Sequence, residues 1–424
     1  MNIIDNPSKA IWSKLTRRAT TDDTLIEERV RTILTRVREG GDEALRQVTE
    51  AIDGAAPAEF KVSAEEIASA ANEVSPKVKK AIQEASERIK AFHSIQIPAP
   101  VENNNKGVRC IRRFLPIERI GLYIPGGSAP LFSTLLMLAI PAKIAGCKEI
   151  ILCTPCNKEG RIAPEILYSA SVCGITDIYR LGGAQAVAAM AYGTESIRKV
   201  SKIFGPGNRY VMKAKQIVSS TGTAIDMPAG PSEVMVLADS TAVPEFIASD
   251  LLSQAEHGPD SQVFLVTTDR DMAARADEEV NRQLDLLPRR EIAAKALDNS
   301  RIVIFDDRDD AIAFANAYAA EHLIISMEQP WSAAQQITAA GSVFIGNYSP
   351  ESAGDYASGT NHTLPTLGLA TAFSGIGTDS FMHAVSYQEL SRDGLKALSD
   401  TIITMAEAEG LDAHANAVKT RLNK

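Results

Sequence analysis

The sequence predicts an α/β protein: two units of mainly parallel sheet, with small helical segments at the N- and C-termini. Three observations predict it. From residue 119 onward, short apolar runs alternate with helical patterns, which is the signature of βαβ units. Before that, up to about residue 95, the chain reads as charged amphipathic helices. Its 424 residues suffice for two or three packed units.

In chain order, LIEERVRTILTRVREGG places Ile26, Val30, Ile33, Leu34 and Val37 on one helical face and stops at Gly40-Gly41. PAPVENNNKG (98–107) reads as a loop. Eight strands are then predicted: RIGLYIP, EIILCTP, DIYRL, EVMVLAD, QVFLVTTD, RIVIFDD, HLIIS and SVFIGN. LFSTLLMLAI, AQAVAAMAYGT and DDAIAFANAYAAEH supply helices between them. Eight strands exceed one small open sheet, and AIDMPAGPSEV near 225–235 is the natural seam. From about 378 the chain returns to helix.

Bulk properties narrow the function. A hydrophobic fraction of 45% and a charged fraction of 23% are ordinary for a soluble globular enzyme. A net charge of -9 argues against a nucleic-acid partner. No apolar run reaches the length of a membrane span: LFSTLLMLAIPAKIAGC is interrupted by Pro141 and Lys143. The opening MNIIDNPSKAIWSKLTRR lacks the apolar core of a secretory signal, so a cytoplasmic location is expected. Five cysteines, an odd and sparse set, argue against a disulfide framework. CTPC (153–156) follows an apolar strand and reads as buried thiols at a strand end.

Three loops after strands carry glycine: YIPGGSAP (123–130), LGGAQAVAA (181–189) and FGPGNRY (204–210). Backbone N–H groups at such turns suit a phosphate, and Asn208 stands at a helix start. None completes GxGxxG, so nucleotide binding here implies an unorthodox geometry. Polar residues gather in four further places. SQAEHGPDSQ brings Gln254 and His257 onto one face of a helix end. AAEHLII sets Glu321 and His322 at a helix-to-strand handover, where neighbours pointing apart suit two different proton transfers. ESAGDYASGTNHTLPT carries Asp355 and His362, and AEAEGLDAH carries Glu409 and His414. Gln254, His257, Asp355 and His414 together offer two nitrogens and two oxygens, a set suited to zinc or another borderline divalent ion.

With these motifs assembled, the chain resembles the histidinol dehydrogenase family. YIPGGSAPLFSTLLMLAIPAKIAGC, LGGAQAVAAMAYGT, FGPGNRYV, DMPAGPSEV, LLSQAEHGPDSQV, AAEHL, SAGDYASGTNHTLPT and AEAEGLDAHANAV follow that family's order across almost the whole sequence. The resemblance implies two incomplete Rossmann-like domains related to the aldehyde dehydrogenase fold. It implies oxidation of L-histidinol to L-histidine in two hydride transfers to NAD, with Zn2+ required. By matching positions, zinc falls to Gln254, His257, Asp355 and His414, and the catalytic bases are Glu321 and His322. NAD falls to Tyr123, Gln185 and Asn208. The substrate falls to Ser232, Gln254, His257, His322, Asp355, Glu409 and His414. It further implies a homodimer whose C-terminal tail enters the partner's site. The implied division is an N-terminal helical arm (1–25), a domain from 26–110 with 235–375 carrying zinc and catalysis, an NAD domain (111–234), and a helical tail (376–424).

Three rival readings remain at this level. A cysteine thiohemiacetal at Cys147 would replace water attack on the aldehyde. A sister dehydrogenase on the same scaffold would oxidise another small alcohol. A non-catalytic zinc-binding scaffold would need neither Glu321 nor His322.

Overall fold

The computed structural model describes residues 1–18, 24–126 and 130–423. Part of the arm (19–23), the centre of the YIPGGSAP loop (127–129) and Lys424 lie outside the described residues. Among the described residues the strands are β1 (Asn2–Asp5), β2 (Val101–Asn105), β3 (Val108–Pro116), β4 (Arg119–Tyr123), β5 (Glu149–Thr154), β6 (Asp177–Arg180) and β7 (Lys202–Phe204). They continue with β8 (Ala224–Ile225), β9 (Glu233–Ala238), β10 (Gln262–Thr267), β11 (Arg301–Ile304), β12 (His322–Ser326), β13 (Ser342–Ile345) and β14 (Met382–Leu390).

All eight apolar runs form strands. EVMVLA and QVFLVT are buried along their whole length, as strands covered by helices on both faces must be. The strands fall into two parallel sheets. The larger has the order β1-β11-β10-β9-β12-β13 and the smaller β6-β5-β4-β7-β8. Each sheet grows in one direction from its starting strand and then crosses back: β12 lies on the far side of β9, and β7 on the far side of β4. Each therefore has a switch point where loops diverge and leave a crevice. The expected α/β class and mainly parallel sheet are what the chain forms.

Three parts of the expected division differ. The arm does not begin as helix: β1 pairs in parallel with β11 at the edge of the larger sheet. Trp12 then packs edge-on against Phe305 and Phe314, each at 5.5 Å. The helices Thr24–Asp53, Ala64–Glu73 and Pro76–Ser94, grouped by sequence with the larger sheet, pack on the smaller one instead. Their apolar stripes decide this. Val30, Leu34 and Val37 share a core with Tyr123, Ile151 and Val187, and Ile82 and Ile89 pack with Leu136 and Met137. Finally, the loop at 98–107 and the helical tail contribute strands to a third, antiparallel sheet, β2-β3-β14. Helices Arg392–Ala408 and Asp412–Leu422 pack on each other beyond it. Among the described residues, no helix is long and apolar enough to cross a membrane.

Candidate active site

Glu321 and His322 stand at the amino end of β12, and Ser232 immediately precedes β9, its neighbour across the switch point. Because covering helices run antiparallel to the strands, the helix Pro244–Ala255 delivers Gln254 and His257 to this same amino edge. The short helix Glu351–Tyr356 brings Asp355 there as well. The general rule places ligands at carboxyl ends of strands. In the larger sheet the candidate catalytic groups occupy the opposite edge.

His322 is buried, and its Nδ1–H donates to the Glu233 carbonyl at 3.3 Å. That bond leaves Nε2 as the basic nitrogen. Nε2 faces Asp355 Oδ1 at 3.6 Å and has no hydrogen-bond partner. Glu321 Oε2 accepts the Glu233 N–H at 2.9 Å and lies 3.7 Å from His322 Nδ1. Burial lifts Glu321 to about 8, against the pull of His322. Burial alone would depress His322, but Glu321, Asp355 and Glu351 outweigh it and carry the imidazole to about 10.

Donor atoms of His257, Glu351 and Asp355 lie within 4.8 Å of one another. The end of the buried Gln254 amide lies against the Glu351 carboxylate, a contact that is a hydrogen bond of 2.9 Å to Oε2 when the amide is oriented with its nitrogen toward the acid. Burial raises Glu351 to about 8 and Asp250 to about 7. Burial also works against ionised Asp355, but the neighbouring imidazoles, His322 foremost, hold it below its ordinary value. Four carboxyl groups (Asp250, Glu321, Glu351, Asp355) thus gather with the imidazoles of His257, His322 and His362. Crowded nitrogen and oxygen donors, among them carboxyls that burial holds partly protonated, suit a divalent cation that would displace those protons. Glu351 escaped the sequence reading because an acid in a first helical turn is ordinary.

His414 and Glu409 are not part of this cluster within the chain. Glu409 caps the helix Arg392–Ala408, His414 lies on Asp412–Leu422, and both are exposed.

A buried hub supports the pair from behind. The Glu233 carboxylate receives Arg18 Nε at 2.9 Å and Nη2 at 2.7 Å, and also the Leu367 N–H at 2.8 Å. Arg18 stacks 3.8 Å over the Tyr318 ring and donates to the Tyr318 carbonyl. Ser232 lines a small cleft with Arg18, Glu233 and Gln262. One residue, Glu233, therefore ties the N-terminal arm, β9, β12 and the end of the 351–366 loop together.

The other predicted residues gather at the carboxyl edge of the smaller sheet. Tyr123 ends β4, and its hydroxyl accepts the Gly183 N–H at 3.1 Å. Burial pushes this phenol up to about 12. Gln185 is fully buried; its Nε2 donates to Asp53 Oδ2 at 3.2 Å while Oε1 has no partner. Asn208 is the N-cap of helix Arg209–Ser219, accepting from the Tyr210 and Val211 N–H groups. Gly205 (φ 124°) sits so close beneath that any Cβ would overlap the Tyr123 carbonyl oxygen. A buried Lys215–Asp226 pair pins this glycine, with Lys215 donating to its carbonyl and Asp226 accepting its N–H at 2.8 Å. An orphaned buried amide oxygen and glycines at close approach fit a ligand rich in donors and phosphate, such as a dinucleotide. His362 joins the two edges: its Nδ1–H donates to the Asp355 carbonyl at 2.8 Å, and Nε2 accepts from Thr134 Oγ1 at 3.0 Å, near the start of the helix Phe132–Ala145.

A family model for histidinol dehydrogenase matches residues 16–422. The chain belongs to the histidinol dehydrogenase family. A histidinol dehydrogenase of Bacteroides thetaiotaomicron is 53% identical over 425 residues, covering 100% of this chain and 99% of the relative. One of Escherichia coli is 53% identical over 401 residues, covering 94% and 92%. The crystal structure of a histidinol dehydrogenase from Elizabethkingia anophelis is similar at 50% identity and a TM-score of 0.97, covering 100% of this chain and 98% of the other. Membership of this family makes the chain an oxidoreductase and connects it with histidine biosynthesis. Cys147 offers the family's chemistry little: its thiol is buried, contacts the Phe381 carbonyl at 3.7 Å, and is pushed up to about 11 by burial. Cys147→Ala should retain full turnover of histidinol; a large loss would revive a thiohemiacetal route.

Proposed function

We propose that this protein oxidises L-histidinol through bound L-histidinaldehyde to L-histidine in the cytoplasm, using two NAD and a zinc ion. The observation that carries the reading is the open Nε2 of His322, facing Asp355 beside the His257–Glu351–Asp355 donor group. Gln254, His257 and Asp355 would hold the zinc from this chain, and Tyr123, Gln185 and Asn208 would hold NAD. Zinc, when bound, supplies a redox-inert Lewis acid that grips the substrate's imidazole and amine. NAD, when bound, accepts the hydride of each oxidation.

The chain's own residues move the protons. With Asp355 and Glu351 engaged by the cation, His322 would lose part of the negative charge that holds its imidazole up, and its Nε2 then takes the alcohol proton as the carbinol hydride departs, with Nδ1–H held on the Glu233 carbonyl to keep the ring oriented. The ionised form of Glu321, which burial makes a stronger base by lifting the group to about 8, deprotonates the water that adds to the aldehyde. His322 returns its first proton to the adduct oxygen as water adds, and then takes the proton from the resulting hydrate as the second hydride leaves. Ser232, Glu409 and His414 complete the substrate contacts.

The tail groups come from a second copy. Glu409 and His414 are exposed and lie outside this chain's donor group, and Leu398, Met405 and Leu411 are exposed apolar side chains on the same tail. Co-expressing His322→Asn and His414→Ala chains, each inactive alone as a homodimer, should then yield activity. Mixed dimers that stay inactive would break the shared-site reading.

The direct test mixes protein, NAD and L-histidinol and follows absorbance of NADH with and without chelator. NADH should form, chelator should stop it, and zinc should restore it. In parallel, zinc should raise the melting temperature of the chelated protein, because the ion binds the donor group that only the folded state assembles. No NADH from histidinol, with NADH from another small alcohol, would favour the sister dehydrogenase.

A further inference from the structure

In a dinucleotide site, the glycine turn after one strand ordinarily works with an acidic residue at the end of the next. That carboxylate accepts hydrogen bonds from the adenosine ribose. Here the next strand is β5, and it runs out through Thr154, Pro155, Cys156 and Asn157, none of them acidic. A carboxylate reaches this corner from another element. Asp53 closes the helix Thr24–Asp53, and its Oδ2 accepts from Gln185 Nε2 at 3.2 Å. Its charge is felt by the Tyr123 hydroxyl and by the Cys156 thiol, at the ends of β4 and β5.

The corner is built for close approach. Gln185 is 0% exposed, and its Oε1 is buried without a donor. A side chain at Gly183 (φ 66°) would run into that amide. Gly126 and Gly182 both lie against Pro155, where an added Cβ would come within 2.9 Å and 2.8 Å of its ring. These glycines hold the ends of β4, β5 and β6 together without filling the space between them, while Asp53 stays exposed on its outer side.

We propose that Asp53 is the ribose-reading carboxylate of the NAD site, and that it sets the preference for NAD over the 2′-phosphorylated dinucleotide. The inference rests on the NAD reading of the three glycine loops. Gln185 is a positioning residue here: it holds one carboxylate oxygen by its amide and so aims the group. A carboxylate accepts from the vicinal ribose hydroxyls, whereas a 2′-phosphate removes a donor and brings like charge against it.

The test is equilibrium titration of NADH and NADPH, read by nicotinamide fluorescence without histidinol. Wild type should prefer NADH. Asp53→Asn should weaken NADH about ten- to a hundredfold and collapse the NADH/NADPH ratio. Asp53→Glu keeps the charge one methylene further out, and should keep the ratio while losing part of the affinity. If Asp53→Asn leaves both affinities unchanged while Gln185→Ala weakens NADH, Asp53 has no such role and the loops remain the nucleotide site. If Tyr123→Ala and Gln185→Ala also leave NADH binding untouched, the NAD reading of the loops falls with it.

Discussion

His322→Asn lowers the rate of histidinol oxidation by about a hundred- to ten-thousandfold, the range for loss of a positioned general base. Asparagine preserves size and a donor toward the Glu233 carbonyl but has no lone pair basic enough to replace Nε2. Glu321→Gln acts elsewhere. It leaves the first oxidation near its wild-type rate and lowers oxidation of supplied L-histidinaldehyde by a comparable factor, because only the second step needs activated water. Single-turnover NADH formation from the alcohol and from the aldehyde separates the two. Equal losses for both variants in both half-reactions would abolish the division of labour. The geometry makes the division reasonable: the two side chains are sequence neighbours, yet Glu321 is held by the Glu233 N–H and His322 by its carbonyl.

Arg18→Met removes about 3–5 kcal/mol of stability, the usual result of stripping one partner from a buried ion pair. Glu233 is 1% exposed, and without Arg18 its carboxyl would be left buried with the Leu367 N–H as its remaining partner. The double variant Arg18→Met with Glu233→Leu should recover much of that loss, since no buried charge remains. It should not recover the rate, because Leu367 and the arm are then untethered from the strand that orients Glu321 and His322. Urea denaturation and turnover on the same three proteins check both halves. A double variant as unstable as Arg18→Met would show that the ion pair is not the source of the loss.

Much of the fold was legible because its central strands are buried on both faces. Residues such as Val234, Val236, Phe264 and Leu265 make continuous apolar runs that turns punctuate. The missed strands lack that signal. VENNN in β2 is exposed at every position, and β8 has only two residues. Both are strands because a partner lies alongside, β3 for the first and β7 for the second. β14 falls where the sequence predicts a helical tail, yet it pairs over its whole length with β3, more than 260 positions earlier in the chain.

The candidate site divides in the same way. The sequence by itself determined which groups could do chemistry: the Gln254/His257 pair on one helix face, the adjacent Glu321 and His322, the polar loop with Asp355, and the glycine turns. These depend on residue type and on the local period of the helix or strand that carries them. Tertiary structure alone decided where those groups meet. It turned the helix Pro244–Ala255 so that its end lies at the amino edge of the larger sheet, and brought Glu351 among the donors. It set Arg18 on Glu233 across 215 positions and Thr134 on His362 across 228. Such meetings follow from which apolar faces pack together, and no spacing along the chain records them.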